Sequence, residues 1–147
     1  MFRLARATIS TAILASGLIL AGSAFAEGFS VSPVSLRVPA GVQTTTLTVK
    51  STGPGEAMGQ VRVMRWLRDG GQNTLVPTRD VLASPPALRM QPNQELTVRL
   101  VRRATGPVTG QECYRVLVDQ LPGASQNAQV VKLTVRHSVP LCFGTSN

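Results

Sequence analysis

The sequence predicts an all-β domain, and three observations carry that prediction. Beyond residue 26, apolar side chains recur at a spacing of two, and no stretch sustains the helical period of about 3.6 residues. Turn signals rich in glycine and proline punctuate the chain roughly every 8–12 residues. A length of 147 residues bounds the chain to one domain, and 43% apolar content is too high for a disordered one.

The first segment stands apart. Arg3 and Arg6 precede an apolar run from Ile9 to Ala21, and the small-x-small sequence Ala24-Phe25-Ala26 follows. This is the pattern of a secretory signal peptide over residues 1–26, with cleavage expected before Glu27. The alternative is an uncleaved anchor, but the run is shorter than the ~18–20 residues of a membrane span and no basic stop-transfer sequence follows. Residues 27–147 are the expected folded domain, with no stable membrane insertion once the signal is removed.

A first strand is expected from Phe29 to Val38, with Pro33 placing it at a sheet edge or a bulge, and Pro39-Ala40-Gly41 turns the chain. Val42 to Lys50 form the next, with Leu47 and Val49 on one face, before the loop Ser51-Thr52-Gly53-Pro54-Gly55. The third strand, Ala57 to Leu67, ends in Asp69-Gly70-Gly71, a hairpin signal because these residues tolerate positive φ. Short pieces follow at Thr74–Val76 and Ala87–Met90, separated by Ser84-Pro85-Pro86. After the turn Gln91-Pro92-Asn93-Gln94, Leu96, Val98 and Leu100 alternate with Glu95, Thr97 and Arg99, as in a strand with one wet face. Arg102 to Gly110 reads as a loop, and strands at Glu112–Gln120 and Gln129–Phe143 close the chain. About seven short strands with such turns predict an immunoglobulin-like β-sandwich.

Antiparallel pairing of the last two strands about a centre between residues 127 and 128 sets Cys113 opposite Cys142. Export favours a disulfide between them, the alternative being two free buried thiols. The two cysteines and single histidine lack the spacing and number of a zinc site, so neither metal nor cofactor is expected. His137 is the only histidine available to a serine nucleophile, and no phosphate-binding glycine loop or GxSxG occurs, so no enzyme is predicted. The net charge of +8 is spread over every strand and loop, with Arg102-Arg103 its longest run, and aromatics make up 4% of the chain. That argues against nucleic acid and for solubility or acidic partners. Trp66 and Tyr114 read as packing aromatics and His137 as structural.

Several segments, in order, resemble the N-terminal domain of periplasmic pilus-assembly chaperones of the chaperone–usher pathway. They are Phe29-Ser30-Val31-Ser32-Pro33 with Arg37 and Pro39-Ala40-Gly41, then Ser84-Pro85-Pro86-Ala87-Leu88-Arg89 and Gln91-Pro92-Asn93-Gln94. Tyr114 through Pro122 and Leu133 through Pro140 continue the match, and the Tyr-Arg strand and Val-Pro ending are similar to the archaic branch.

The resemblance implies a periplasmic location, pilus or fimbrial subunits as partners together with an outer-membrane usher, and donor-strand complementation as mechanism. It places the donated side chains at Val131, Leu133 and Val135, with Val139 beyond, while Lys132, Thr134 and Arg136 share the other face. The residues alone leave open whether this apolar face belongs to the domain's own core. The family also grips the subunit's C-terminal carboxylate with basic side chains. Arg37 matches one of them, Pro140 stands where the classical branch has the second, and Arg89, Arg115 and Arg136 are candidates to replace it. Family members continue into a second immunoglobulin-like domain, whereas this sequence stops after the last strand of the first. A stand-alone domain, a truncated remnant and an excised piece are the readings of that ending. The competing class is a structural or adhesive sandwich protein. A pilus subunit would carry an N-terminal donor extension, and here the expected mature N-terminus lies only a few residues before the first strand.

Overall fold

The computed structural model describes residues 28–123 and 134–144. Ten strands are formed among them: β1 (Phe29–Ser32), β2 (Leu36–Val38), β3 (Thr44–Ser51), β4 (Ala57–Asp69), β5 (Gln72–Pro77), β6 (Val81–Ser84), β7 (Ala87–Met90), β8 (Glu95–Arg102), β9 (Gln111–Leu121) and β10 (Arg136–Gly144). They make a sandwich. The smaller sheet has the order β1-β3-β8-β6, and the larger the order β2-β10-β9-β4-β5, with β7 pairing β4 beside it.

Alternation decides which side chains meet between the sheets. Leu47 and Val49 of β3 and Val98 and Leu100 of β8 are fully buried, opposed by Tyr114, Val116 and Val118 of β9 and Leu141 and Phe143 of β10. Tyr114 and Phe143 meet edge to face at 6.1 Å between centroids. The wet face of β8 falls on Glu95, Thr97 and Arg99, as its sequence predicts.

The expected first strand is two strands in different sheets: β1 pairs β3 antiparallel, and β2 pairs β10 in parallel. The break is at the cis Ser32–Pro33 bond, where proline has no N–H to continue a ladder. The same device recurs at the cis Ser84–Pro85 bond, between β6 of one sheet and β7 of the other. Strand β6 has no counterpart in the sequence reading.

Turn chemistry is as the sequence requires. Gly70 and Gly71 adopt φ of 56° and 85° in the two-residue β4–β5 connection, and Asn93 takes 58° after Pro92, in a turn closed by Gln94 N–H donating to Gln91 O at 3.1 Å. Gly144 ends β10 at φ 82°, where a Cβ would lie 2.1 Å from Gly110 O, so only glycine fits.

Strands β9 and β10 pair from Arg136↔Asp119 to Gly144↔Gln111, and this register sets Cys142 directly across from Cys113. The two are joined by a disulfide with Cα atoms 4.2 Å apart. Arg102, expected to begin a loop, instead ends β8 with a residue exposure of only 4%. Its guanidinium donates to both oxygens of Glu112 at 2.9 Å and to the carbonyls of Ala104 and Gly106 at 2.8 and 2.9 Å. A charge is tolerated there because every side of the fork is occupied.

Candidate functional site

The larger sheet presents one outer face built from alternate residues of each strand. Register places Arg37 of β2 beside Cys142 of β10, Cys142 beside Cys113 of β9, and Trp66 of β4 beside Leu75 of β5. One step along the strands, Pro140, Arg115, Met64 and Pro77 form the neighbouring row. Further along lie Ser138, Leu117 and Arg62, then Arg136, Asp119 and Gln60. Arg89 joins the same face through its pairing with Met58. All four arginines singled out in the sequence therefore share a face, although their partners differ.

Arg89 Nε donates to Glu56 Oε1 at 2.9 Å, and Arg136 is hydrogen-bonded to Asp119. Arg115 lies over the Trp66 ring, its guanidinium carbon 3.9 Å from the centroid. Arg37 has no carboxylate within ion-pairing distance among the described residues.

The expected donor segment divides. Val131 and Leu133 lie outside the described residues. Val135 is 43% exposed, whereas Val139 is 4% exposed and sits opposite Val116. Val139 is thus a core residue of this domain and leaves the donor set. Both have the same parity, so one apolar face runs from inside the sandwich to beyond its end. His137 lies between them, its Nε2 2.7 Å from Phe29 O, a structural contact.

The edge of β10 divides at the same place. Strand β2 pairs only Leu141 to Phe143, so Arg136 to Pro140 have β9 on one side and no strand on the other among the described residues. At the root of this open edge, a shallow polar depression is lined by Gln60, Arg62, Asp119, Gln120, Val135 and Arg136, among others. Arg62 donates to Asp119 Oδ2 through Nε at 3.1 Å and Nη2 at 2.6 Å, and Gln120 N–H donates to Val135 O at 3.1 Å. The Gln120–Val135 bond and the Arg136–Asp119 contact hold the start of β10 against β9, while Arg62 ties Asp119 to β4. Sequence reasoning missed Arg62 and Asp119, because strand alternation puts a buried carboxylate on a face that reads as wet.

Burial by itself would raise the Asp119 carboxyl, but hydrogen bonds from Arg136 and Arg62 outweigh it and hold the group below its ordinary value. The Arg102 hydrogen bond likewise depresses Glu112 against its desolvation. Burial, foremost, pushes the Tyr114 phenol up to about 12. A depressed carboxyl contributes stability that is present above its unfolded value, about 4, and is lost as pH falls through the folded value. Thermal denaturation is therefore expected to give a flat Tm between about pH 7 and 5 and a steep fall below about pH 4. The fall should be shallower in Asp119→Asn; an unchanged slope would show that the Asp119 pairs do not couple to folding.

Among the described residues no group of three or more His, Cys, Asp or Glu side chains could hold a metal ion, and no helix is long and apolar enough to cross a membrane.

Comparison with known proteins bears on this geometry. The family model described as "Pili and flagellar-assembly chaperone, PapD N-terminal domain" matches residues 28–144. No curated protein matches the chain. Among solved structures, the CsuC–CsuE chaperone–tip adhesion subunit pre-assembly complex from archaic chaperone–usher Csu pili of Acinetobacter baumannii is similar at 26% identity and TM-score 0.68, covering 80% of this chain and 52% of that one. The SafB chaperone complex with SafA pilin from Salmonella enterica matches at 19% identity and TM-score 0.63, covering 80% and 54%. The CupB2 chaperone of Pseudomonas aeruginosa matches at 18% and 0.59, covering 80% and 56%. The last two show the fold. The chain spans about half the length of each of these matched chains.

Proposed function

Since the chain belongs to the pili and flagellar-assembly chaperone family, in its N-terminal domain, we propose that it captures pilus subunits by donating the leading part of its last strand. One observation carries this reading: among the described residues, the edge of β10 from Arg136 to Pro140 is left open where its apolar face emerges from the core toward Val135. An open edge supplies unpaired backbone donors and acceptors, and alternate apolar side chains supply pockets' worth of contact, which together are the requirements of strand addition. Val131, Leu133 and Val135 are the donated side chains. Burying three such groups supplies on the order of 5–9 kcal/mol gross, before the costs of association.

Arg37 is the anchor proposed for the subunit's terminal carboxylate. Arg89 and Arg136 already hold carboxylates of their own chain, whereas Arg37 holds none among the described residues. A guanidinium fork suits a carboxylate because both oxygens can be held at once.

Pilus chaperones of this family are periplasmic. Residues 1–26 lie outside the described ones, and we read them as the export signal, with Glu27 as the mature start. The usher belongs to the same reading. The protein acts by binding, with no catalytic step assigned to it.

The test is native mass spectrometry of the protein purified from a periplasm co-expressing candidate subunits, beside Leu133→Asp. The native sequence is expected to carry a subunit one to one, and the variant to lose at least about tenfold of the complex while keeping its circular dichroism. Globally unfolded Leu133→Asp would place that residue in the core and remove it from the donor strand. Undiminished capture by a folded variant would overturn strand donation.

A further inference from the structure

The outer face of the larger sheet holds an arrangement that strand donation does not use. Trp66 is flanked by two guanidinium groups: Arg68, two residues along β4, with its central carbon 3.7 Å from the ring centroid, and Arg115 of β9 at 3.9 Å. Arg115 pairs across from Met64, so the two arginines approach the indole from opposite directions along the strand. Two planar cations this close to one ring also cannot share a side of it without overlapping. The indole is itself fixed, its Nε1 donating to Asn73 Oδ1 at 3.1 Å across the β4–β5 hairpin.

Stacking engages the flat faces of the guanidinium groups and leaves N–H edges for a carboxylate, the one contact already made there being the long 3.5 Å bond from Arg115 Nη1 to Ser138 O. Among the described residues, none supplies that carboxylate. Glu56, Asp80, Glu95, Glu112 and Asp119 are each paired with Arg89, Arg65, Lys50, Arg102 and the Arg62–Arg136 couple, respectively. Asp69 follows Arg68 directly, and strand alternation turns it to the opposite face. Beside the stack lies apolar surface, half-buried Met64 and Leu75 at 39% exposure.

We propose that the Arg68–Trp66–Arg115 stack docks an acidic segment of a protein partner, bound extended with carboxylates on alternate residues. Charge complementarity selects the acid. The thickness of the stack selects the spacing, because same-face residues of an extended strand stand about 7 Å apart, roughly the separation of cations on the two sides of one ring.

Trp66 is the chain's single tryptophan, so its emission reports on the site. The purified protein is titrated with an acetylated, amidated Thr-Glu-Thr-Glu-Thr peptide, which has no terminal carboxylate for Arg37, and the affinity is checked by calorimetry. Expected is a saturable change in emission at about 20 mM salt, with affinity reduced about tenfold or more by Arg68→Gln, by Arg115→Gln and by about 200 mM salt. Both side chains lie on the outer face, and the thermal transition of each variant checks that it is folded. No saturable change with the native protein would overturn the proposal, as would equal affinity for Thr-Gln-Thr-Gln-Thr or for a peptide with adjacent glutamates. Equally strong binding of inorganic polyphosphate would overturn it in favour of a nonspecific cationic surface.

Discussion

Arg102→Ala is expected to lower the folding free energy by about 3–5 kcal/mol, read as a fall in the denaturant midpoint at constant slope. Arg102 has a side-chain exposure of 2% and Glu112 of 18%, so water screens this pair poorly. Removing the guanidinium leaves the Glu112 carboxylate with only the Tyr114 hydroxyl, which donates at 3.3 Å, and strips the carbonyls of Ala104 and Gly106 of their donor. The segment after β8 is thereby released from the end of the sandwich. Most of the cost is the stranded charge and not the net worth of the pair. Arg102→Met combined with Glu112→Leu is therefore expected to recover much of the loss, and a double-mutant cycle measures the coupling. A single-variant loss below about 1 kcal/mol would mean that Glu112 finds water once its partner is gone.

Replacing Cys113 and Cys142 together by alanine is expected to cost about 3–4 kcal/mol and lower Tm on the order of 10 °C. The two cysteines are 29 residues apart in sequence, and the cross-link removes the entropy of that loop from the unfolded chain. Folded-state contacts at the site contribute less, because each disulfide sulfur lies on the outer face of the sheet and outside the core. Dithiothreitol added to the native protein should reproduce the shift, and have no effect on the double alanine variant. A variant as stable as the native protein would show that the β9–β10 ladder already restricts the unfolded ensemble.

The parts of the fold legible in the sequence are those set by neighbours along the chain. Leu47 with Val49, and Leu96, Val98 and Leu100, announce their inward face by alternation, which needs no knowledge of the partner strand. Gly70-Gly71 announces a hairpin because few other pairs accept two positive φ angles. The cysteine pair fixes the β9–β10 register, since only one mirror position sets two thiols opposite each other. The resemblance to pilus chaperones followed from motifs in order along the chain, and the matching family model covers residues 28–144.

Other features are pairings between distant elements, and no local signal encodes them. The sequence reads Phe29–Val38 as one strand, but β3 and β10 recruit its two halves into different sheets. Arg102 looks like any other basic residue until Glu112 and two carbonyls converge on it. The sharing of one face by Arg37, Arg89, Arg115 and Arg136, and the separation of Arg37 from those that carboxylates or Trp66 already hold, come from sheet order alone. Val139 and Val135 carry the same residue type at the same parity, yet one is buried and the other exposed. Alternation specifies a face, whereas burial depends on whether the opposing sheet extends far enough to cover it.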